Sequence, residues 1–424
     1  MEASLPLPEL TADEAAHAAR VLAYLVAGLE ASGGRWPFAA FMAEALYAPG
    51  LGYYAAGARK FGASGDFITA PEVSPLFGDC LARQVAEVFG NLRADPGAPL
   101  TLVEYGAGSG ALAVQLLQSL AELGELPDTY AIVEVSAELR ERQAEAVATL
   151  PPALASRVCW WPGHAAAPWR GVLLANEVLD ALPVERLRLG REGLEQLFVV
   201  ASGAVETRLT GGAGLALDWQ PALPALQEWF AGIDADLPLP LSLSLPVGTE
   251  FEACLAAGPW VQDALAHLAA GVALYIDYGL PRAQLYSPAR PRGTFSAFCR
   301  HRQHEDALWH PGLQDLTAWV DFTGVAEAGL AAGAHVAGFT TQAQFLVNAG
   351  LDAAYAARLA GLEAGERNAQ NSARQALRLA ALAQGAQRLL MPQEMGERFK
   401  VLSLAKGYDE PLVGFARRDL TDTL

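Results

Sequence analysis

The chain reads as an α/β protein built on an open parallel sheet with helices on both faces. Three observations carry that expectation. From Leu100 onward, short apolar runs alternate with helical stretches: LTLVEY, a helix from Ala111, YAIVEV, a helix through Leu139 to Leu150, then RVCWW, GVLLAN and, much later, VALYIDY at 272–278. A parallel crossover needs a helix to return the chain, so this alternation is the signature of such a sheet. The first run passes into VEYGAGSGALA, where Gly106, Gly108 and Gly110 separate a strand from a helix. Finally, 424 residues that are 52% hydrophobic and 18% charged hold enough apolar material for a full α/β core and a second, smaller body.

The elements follow in order. Residues 11–48 read as helices, with Trp36, Phe38, Phe41, Met42 and Leu46 recurring at helical spacing toward Tyr47. The constrained loop KFGASGDFITAPEVSPLFG occupies 60–78, and LFGDCLARQVAEVF, Leu76 to Phe89, shows the three-and-four spacing of an amphipathic helix. DPGAP ends this helical N-terminal region at residue 99. Residues 100–184 form the first half of the core. An inserted α+β subdomain over 185–259 is rich in Gly, Pro and Leu, with strand-like QLFVVA and LSLSLPV and a helix at 222–232. Residues 260–424 complete the core: a helix near 314–332, a strand around HVAGFT, helices to about 390, and FKVLSL and PLVGFAR closing as an antiparallel hairpin across KGYDE.

Composition excludes several classes. A net charge of −18 opposes a nucleic-acid partner, whose binding relies on Lys and Arg displacing condensed counterions. The basic cluster of Arg290, Arg292, Arg300 and Arg302 reads as a solvated or internally paired surface. VLAYLVAGL at 21–29 is too short to cross a bilayer, which takes roughly 20 apolar residues, so no membrane insertion is expected. The N-terminus resembles neither a secretory signal nor an Arg-rich transit peptide, and the chain is read as a bacterial cytoplasmic protein. Cys80, Cys159, Cys254 and Cys299 lie far apart, and His301, His304 and His310 lack ligand spacing, so no metal is expected.

The chemistry concentrates after the strands. Glycines between a strand and a helix let the backbone approach a ligand beside the free N–H groups of the helix start. GAGSGA at 106–111 satisfies the dinucleotide fingerprint as well as the loop that holds S-adenosylmethionine, and alone does not separate the two. Three features favour S-adenosylmethionine. Glu104 can face the amino-acid end of a zwitterionic cofactor but would crowd a pyrophosphate. Glu134 ends the next strand, where its carboxylate suits both ribose hydroxyls, though NAD would use the same acid. NEVLDALPV, Asn176 to Val184, sets Asn176, Glu177 and Asp180 at a strand end, where ligands meet in open α/β sheets. Asn176 suits a helix cap equally well.

Several separated stretches resemble one family, the MidA/NDUFAF7-like class I S-adenosylmethionine-dependent methyltransferases, whose sheet is Rossmann-like: FMAEALYAPGLGYY, KFGASGDFITAPEVSPLFG, VEYGAGSGALA, IVEVSAELRERQ, NEVLDALPV, YIDYG, PGLQDLTAWVDF, TTQAQFL and MGERFKVLSLAKG. The resemblance runs from Phe38 to Phe415 and departs at GTFSAFCRH, Gly293 to His301. It implies methyl transfer to an arginine of a partner protein, in the mitochondrial member a core subunit of respiratory complex I during its assembly. A non-catalytic cofactor-binding assembly factor, a small-molecule methyltransferase and an NAD-dependent dehydrogenase are the competing readings.

A guanidinium stays protonated at any working pH and attacks poorly until its charge is drawn away from the attacking nitrogen. Carboxylates gripping its other nitrogens would do so. Glu177 and Asp180 are the candidates, with Asp66 or Glu72 from the opposite wall. On this reading the loop at 60–78 folds over the cofactor as a lid.

Overall fold

The computed structural model describes residues 9–56, 69–94, 99–202, 214–237, 239–364 and 369–424. They fall into two compact units. The larger gathers the described residues of Ile68–Val178, Gly258–Gly279 and Phe322–Leu424; the smaller gathers those of Met1–Phe67, Leu179–Ala257 and Leu280–Asp321.

The larger unit is a sheet whose strands are labelled here in chain order: β1 (Leu100–Tyr105), β2 (Thr129–Val133), β3 (Val158–Trp161), β4 (Trp169–Asn176), β5 (Leu268–Leu280), β6 (His335–Thr341) and β7 (Phe399–Lys406). Their order across the sheet is β6-β7-β5-β4-β1-β2-β3. The pairs among β1 to β5 are parallel, whereas β7 runs antiparallel to both β5 and β6. The order reverses at β1 and β4, which open a crevice at their carboxyl ends for a ligand.

The central strands β4 and β5 are largely apolar on both faces because helices cover both. Leu100, Leu102, Ile132, Val172, Leu174, Val272, Leu274 and Ile276 share one core with the helices Pro75–Arg93 and Ala111–Leu123. On the opposite face Trp260, from the helix Ala257–Leu265, packs against Tyr105 and Tyr275, with ring centroids 5.1 and 6.4 Å away. Helix starts are chemically marked. Ser74 accepts the Leu76 N–H at 3.3 Å with Pro75 in the first turn, and Ser136 accepts the Leu139 N–H at 3.3 Å to begin Ala137–Val147.

In the smaller unit the strands Arg35–Pro37, Leu194–Ala201, Glu185–Leu189 and Glu250–Ala253 pair in that order, and Leu215–Pro221 adds to Leu194–Ala201. A second sheet joins Arg302–His304, Ser296–Cys299 and Asp315–Thr317. The helices Ala12–Ala31 and Phe38–Tyr47 bury Val21, Leu25, Phe41 and Leu46 against Leu197 and Val199. The stretch 1–99, read from the sequence as one region, therefore divides: its first helices belong to this unit, and Pro75–Arg93 belongs to the larger one.

Three local expectations are corrected. PLVGFAR forms a short 3₁₀ turn at Val413–Phe415 in place of a hairpin strand. Strand β7 already has β5 and β6 on its two edges, so no edge is left for it, and Gln84 and Glu87 accept the Gly414 and Val413 N–H groups instead, at 2.8 and 2.9 Å. The helix expected at 314–332 starts only at Phe322, because Asp315–Thr317 is used as a strand against Ser296–Cys299. LSLSLPV is a helical turn at Leu241–Ser244, with Leu241 and Leu245, four residues apart, both buried. The basic cluster is largely paired: Arg292 meets Glu305, Arg300 meets Glu14, and Arg290 donates to the Gln284 carbonyl at 2.6 Å. Among the described residues no helix is long and apolar enough to cross a membrane.

Thr101, Gly171 and Gly271 lie in one row across β1, β4 and β5. The glycines have φ of 138° and 142°, and a Cβ on either would collide with a carbonyl, that of Thr101 for Gly171 and that of Gly171 for Gly271. Gly171→Ala is expected to cost roughly 3 kcal/mol or more in urea unfolding. Gly258→Ala, in a helix with open space around it, should be neutral or slightly stabilising.

Candidate active site

The carboxyl end of β1 turns through residues 106–110 into the helix Ala111–Leu123. Gly106, Gly108 and Gly110 all sit at positive φ, 61°, 53° and 80°, which a side chain would strain. Space is also limiting. A Cβ on Gly106 would stand 3.1 Å from Val178 Cγ2, and one on Gly110 would stand 3.2 Å from the Gln143 Cα. The turn aims the first N–H groups of the helix, which lack intrahelical partners, at the crevice.

Glu134, at the carboxyl end of β2, is held from two sides. Its Oε1 accepts the Ser136 N–H at 2.9 Å, and its Oε2 accepts the Gln143 Nε2 at 3.0 Å. Burial raises its pKa, and these donors work against the rise by favouring the charged form. The Gln143 amide is wholly buried and fully used: its Nε2 also donates to the Gly108 carbonyl at 3.1 Å, while its Oε1 accepts from Trp160 Nε1 at 3.0 Å. One side chain thus ties the glycine turn, the acid at the end of β2 and β3 together. Sequence reasoning missed it; the available signal was a lone glutamine within the IVEVSAELRERQ motif.

Glu104 lies inside the sheet, 3% exposed, with the Tyr130 hydroxyl donating to its Oε2 at 2.7 Å. Burial pushes its pKa up to about 7, the tyrosine opposing and the nearby Glu134 charge adding.

At the end of β4, Asn176 Nδ2 donates to Glu177 Oε1 at 3.1 Å, and Ala70 N–H reaches the same oxygen at 3.4 Å. Glu177 has φ of 55°, a backbone conformation uncommon for a residue with a long side chain. It is anchored by its N–H to the Ile276 carbonyl at 2.9 Å. Glu72 comes to the glycine turn from the other direction, its Oε1 accepting from Ser109 Oγ at 3.1 Å. Glu72, Glu104, Gly106, Gly108, Gly110, Glu134, Asn176 and Glu177 therefore all belong to the larger unit, around the carboxyl ends of β1, β2 and β4.

Asp180 belongs to the smaller unit, where it is 6% exposed. There the Tyr54 hydroxyl donates to Asp315 Oδ1 at 3.0 Å, Tyr47 stacks on Tyr54 at 5.5 Å, and the Ala318 N–H donates to the Asp180 carbonyl at 3.1 Å. Burial, then the charge of Asp315, lifts the Tyr54 pKa well above its ordinary value, and Tyr47 and Asp180 add to the rise. FMAEALYAPGLGYY, NEVLDALPV and PGLQDLTAWVDF, far apart in sequence, meet in this cluster. Asp66 and the loop through 68 lie outside the described residues. Among the described residues no group of three or more His, Cys, Asp or Glu is arranged to hold a metal.

A family model described as "Putative S-adenosyl-L-methionine-dependent methyltransferase" matches residues 80–340, from within the helix before β1 to β6. The chain belongs to this family. It is 30% identical to the Drosophila melanogaster protein arginine methyltransferase NDUFAF7 homolog, mitochondrial, with 91% of this chain and 86% of that one aligned. It is 29% identical to human protein arginine methyltransferase NDUFAF7, mitochondrial, over 86% of this chain and 79% of that one. Among solved structures, a Burkholderia thailandensis protein bound to S-adenosyl-homocysteine is 38% identical and superposes with a TM-score of 0.85, over 99% of this chain and 100% of that one. The residues present suit the cofactor. The glycines of the turn sit at positive φ with no side chain to stand between backbone and ligand, and the Glu72 Oε2 and Asn176 Oδ1 atoms are buried without a hydrogen-bond partner among the described residues. This methyltransferase uses S-adenosylmethionine.

The Glu104 carboxyl gives a pH signature. Folding raises its pKa from 4.5 to about 7, so its contribution to stability is complete below pH 4.5 and is lost as pH climbs through 7. A rise from 4.5 to about 7 corresponds to at most about 3 kcal/mol. Glu104→Gln keeps an acceptor for Tyr130 and removes the titration. In urea unfolding of the cofactor-free protein, the stability of the variant relative to wild type is expected to improve by about 2 kcal/mol between pH 5 and pH 8. Parallel pH profiles for the two proteins would contradict a carboxyl held neutral at this site.

Proposed function

We propose that this methyltransferase transfers methyl groups to an arginine side chain of a partner protein, and that a respiratory complex I-type subunit, which the family resemblance implies, is the acceptor to test first. The observation that carries the reading is Glu177, a carboxylate on a strained backbone at the end of β4, beside the glycine turn. The names of the aligned relatives support arginine as the acceptor residue.

When bound, S-adenosylmethionine supplies a methyl group on a sulfonium, open to in-line displacement. The chain has to hold it and present the acceptor. Backbone N–H groups of residues 106–110 and of the following helix start would take the negative end of its amino-acid portion. Glu134, oriented by Ser136 and Gln143, would accept from the ribose hydroxyls. Glu177 would hold the guanidinium nitrogens that do not react and draw the positive charge toward itself. The attacking nitrogen forms its bond to carbon as the sulfur–carbon bond breaks, and its surplus proton passes to a carboxylate or to water. Placement in line and exclusion of water do most of the work, since no covalent intermediate on the protein is needed.

The test uses methyl-labelled S-adenosylmethionine with a purified complex I-type subunit, and mass spectrometry to locate the label. Label is expected on one arginine and is lost when that arginine is replaced by lysine. Glu177→Gln should lower kcat about 100-fold while S-adenosylhomocysteine affinity stays within about 3-fold. Label on a free metabolite alone would identify a small-molecule methyltransferase, and tight cofactor binding with no turnover on any protein would identify a binding factor.

A further inference from the structure

We infer that Glu72 and Asn176 form the subsite that recognises the ammonium group of the cofactor's amino-acid end. This inference rests on S-adenosylmethionine being the cofactor. Glu72 sits on the four-residue helix Ala70–Val73, and that helix is pinned at two points. Gln115, from the helix that follows the glycine turn, donates its Nε2 to the Pro71 carbonyl at 2.8 Å, and the Ala70 N–H reaches Glu177 Oε1 at 3.4 Å. These contacts hold the Glu72 carboxylate over Ser109, between Gly108 and Gly110, where Ser109 Oγ donates to its Oε1 at 3.1 Å.

The second carboxylate oxygen, Oε2, is buried and has no hydrogen-bond partner among the described residues. The same holds for Asn176 Oδ1, whose amide is oriented by the bond from its Nδ2 to Glu177 Oε1 at 3.1 Å. Glu177 Oε1 is thus the common point that gathers Asn176 and the Ala70–Val73 helix. Both unused atoms are acceptors, and a buried acceptor left without a donor costs about 1–3 kcal/mol, more when charged.

The ligand group they call for must bring several donors, carry positive charge and need no donor in return. A primary ammonium has three N–H donors and no acceptor. A carboxylate would be repelled, a sulfonium has no N–H to give, and ribose hydroxyls are matched by Glu134 at the end of β2. Glu104, the acid that the sequence points to for this role, has a carboxyl engaged by Tyr130 within the sheet. Glu72 meets the requirement from the glycine turn itself.

The test is calorimetric binding of three ligands to the full chain. They are S-adenosylhomocysteine, the same thioether with hydrogen in place of its α-amino group, and 5′-methylthioadenosine, which lacks the amino-acid end. Wild type is expected to bind S-adenosylhomocysteine at least about 10-fold more tightly than the deaminated compound. Glu72→Gln should weaken S-adenosylhomocysteine by about 10- to 100-fold and leave the other two ligands within about 2-fold. Asn176→Leu should show the same selectivity with a smaller loss. Equal wild-type affinity for the aminated and deaminated ligands overturns the subsite and does not depend on any variant folding. Equal weakening of all three ligands by Glu72→Gln also overturns it, by making the residue a prop for the turn. If wild type binds none of the three, the cofactor assignment falls together with the subsite.

Discussion

The cofactor end of this methyltransferase depends on one buried amide. Gln143 spends both of its polar atoms on three elements: the Gly108 carbonyl in the turn, the Glu134 carboxylate at the end of β2 and the Trp160 indole on β3. Each bond would be ordinary alone. Together they leave no polar atom of the amide unsatisfied, so the turn and the acid cannot shift independently without stranding a buried donor or acceptor. The close approach of Gly110 to the Gln143 backbone is the steric half of the same constraint. A cofactor that must be gripped at its ribose and at its amino-acid end at once benefits from such rigidity, because a distance preset in the protein does not have to be set on binding.

The charges are distributed by the same logic. Glu104 and Glu134 stand close enough for the charge of one to raise the pKa of the other, yet their surroundings differ. Glu104 receives one tyrosine hydroxyl inside the sheet and drifts toward neutrality. Glu134, at the sheet's carboxyl edge, is raised by burial too, with backbone and amide donors working against the rise. Burial raises the pKa of both acids, and in each the rise is opposed by different donors.

Much of this was legible in the sequence, because the large sheet is written in period and punctuation. LTLVEY, YAIVEV and GVLLAN are apolar on both faces, and the glycines stand where strand becomes helix. The strand-end places of Glu134 and Asn176 were legible because strand ends are predictable. The illegible parts depend on partners distant in the chain. A glutamine in the middle of a polar helix looks solvated until the indole of Trp160 is known to point at it. PLVGFAR has the composition of a strand, and only the occupied edges of β7 deny it one. That Glu72 reaches the glycine turn was not legible, since nothing in APEV announces that Gln115 will hold its backbone there.

The alternation of the two units along the chain has a further consequence. Each unit is assembled from three segments, and the polypeptide passes from one to the other at 67/68, 178/179, 257/258, 279/280 and 321/322. No single scission can separate them into two contiguous pieces, so neither is a module that recombination could lift out and graft elsewhere. During synthesis the smaller unit must wait for residues up to Asp321, and the larger for β7 near the C-terminus. The two are heritable only together.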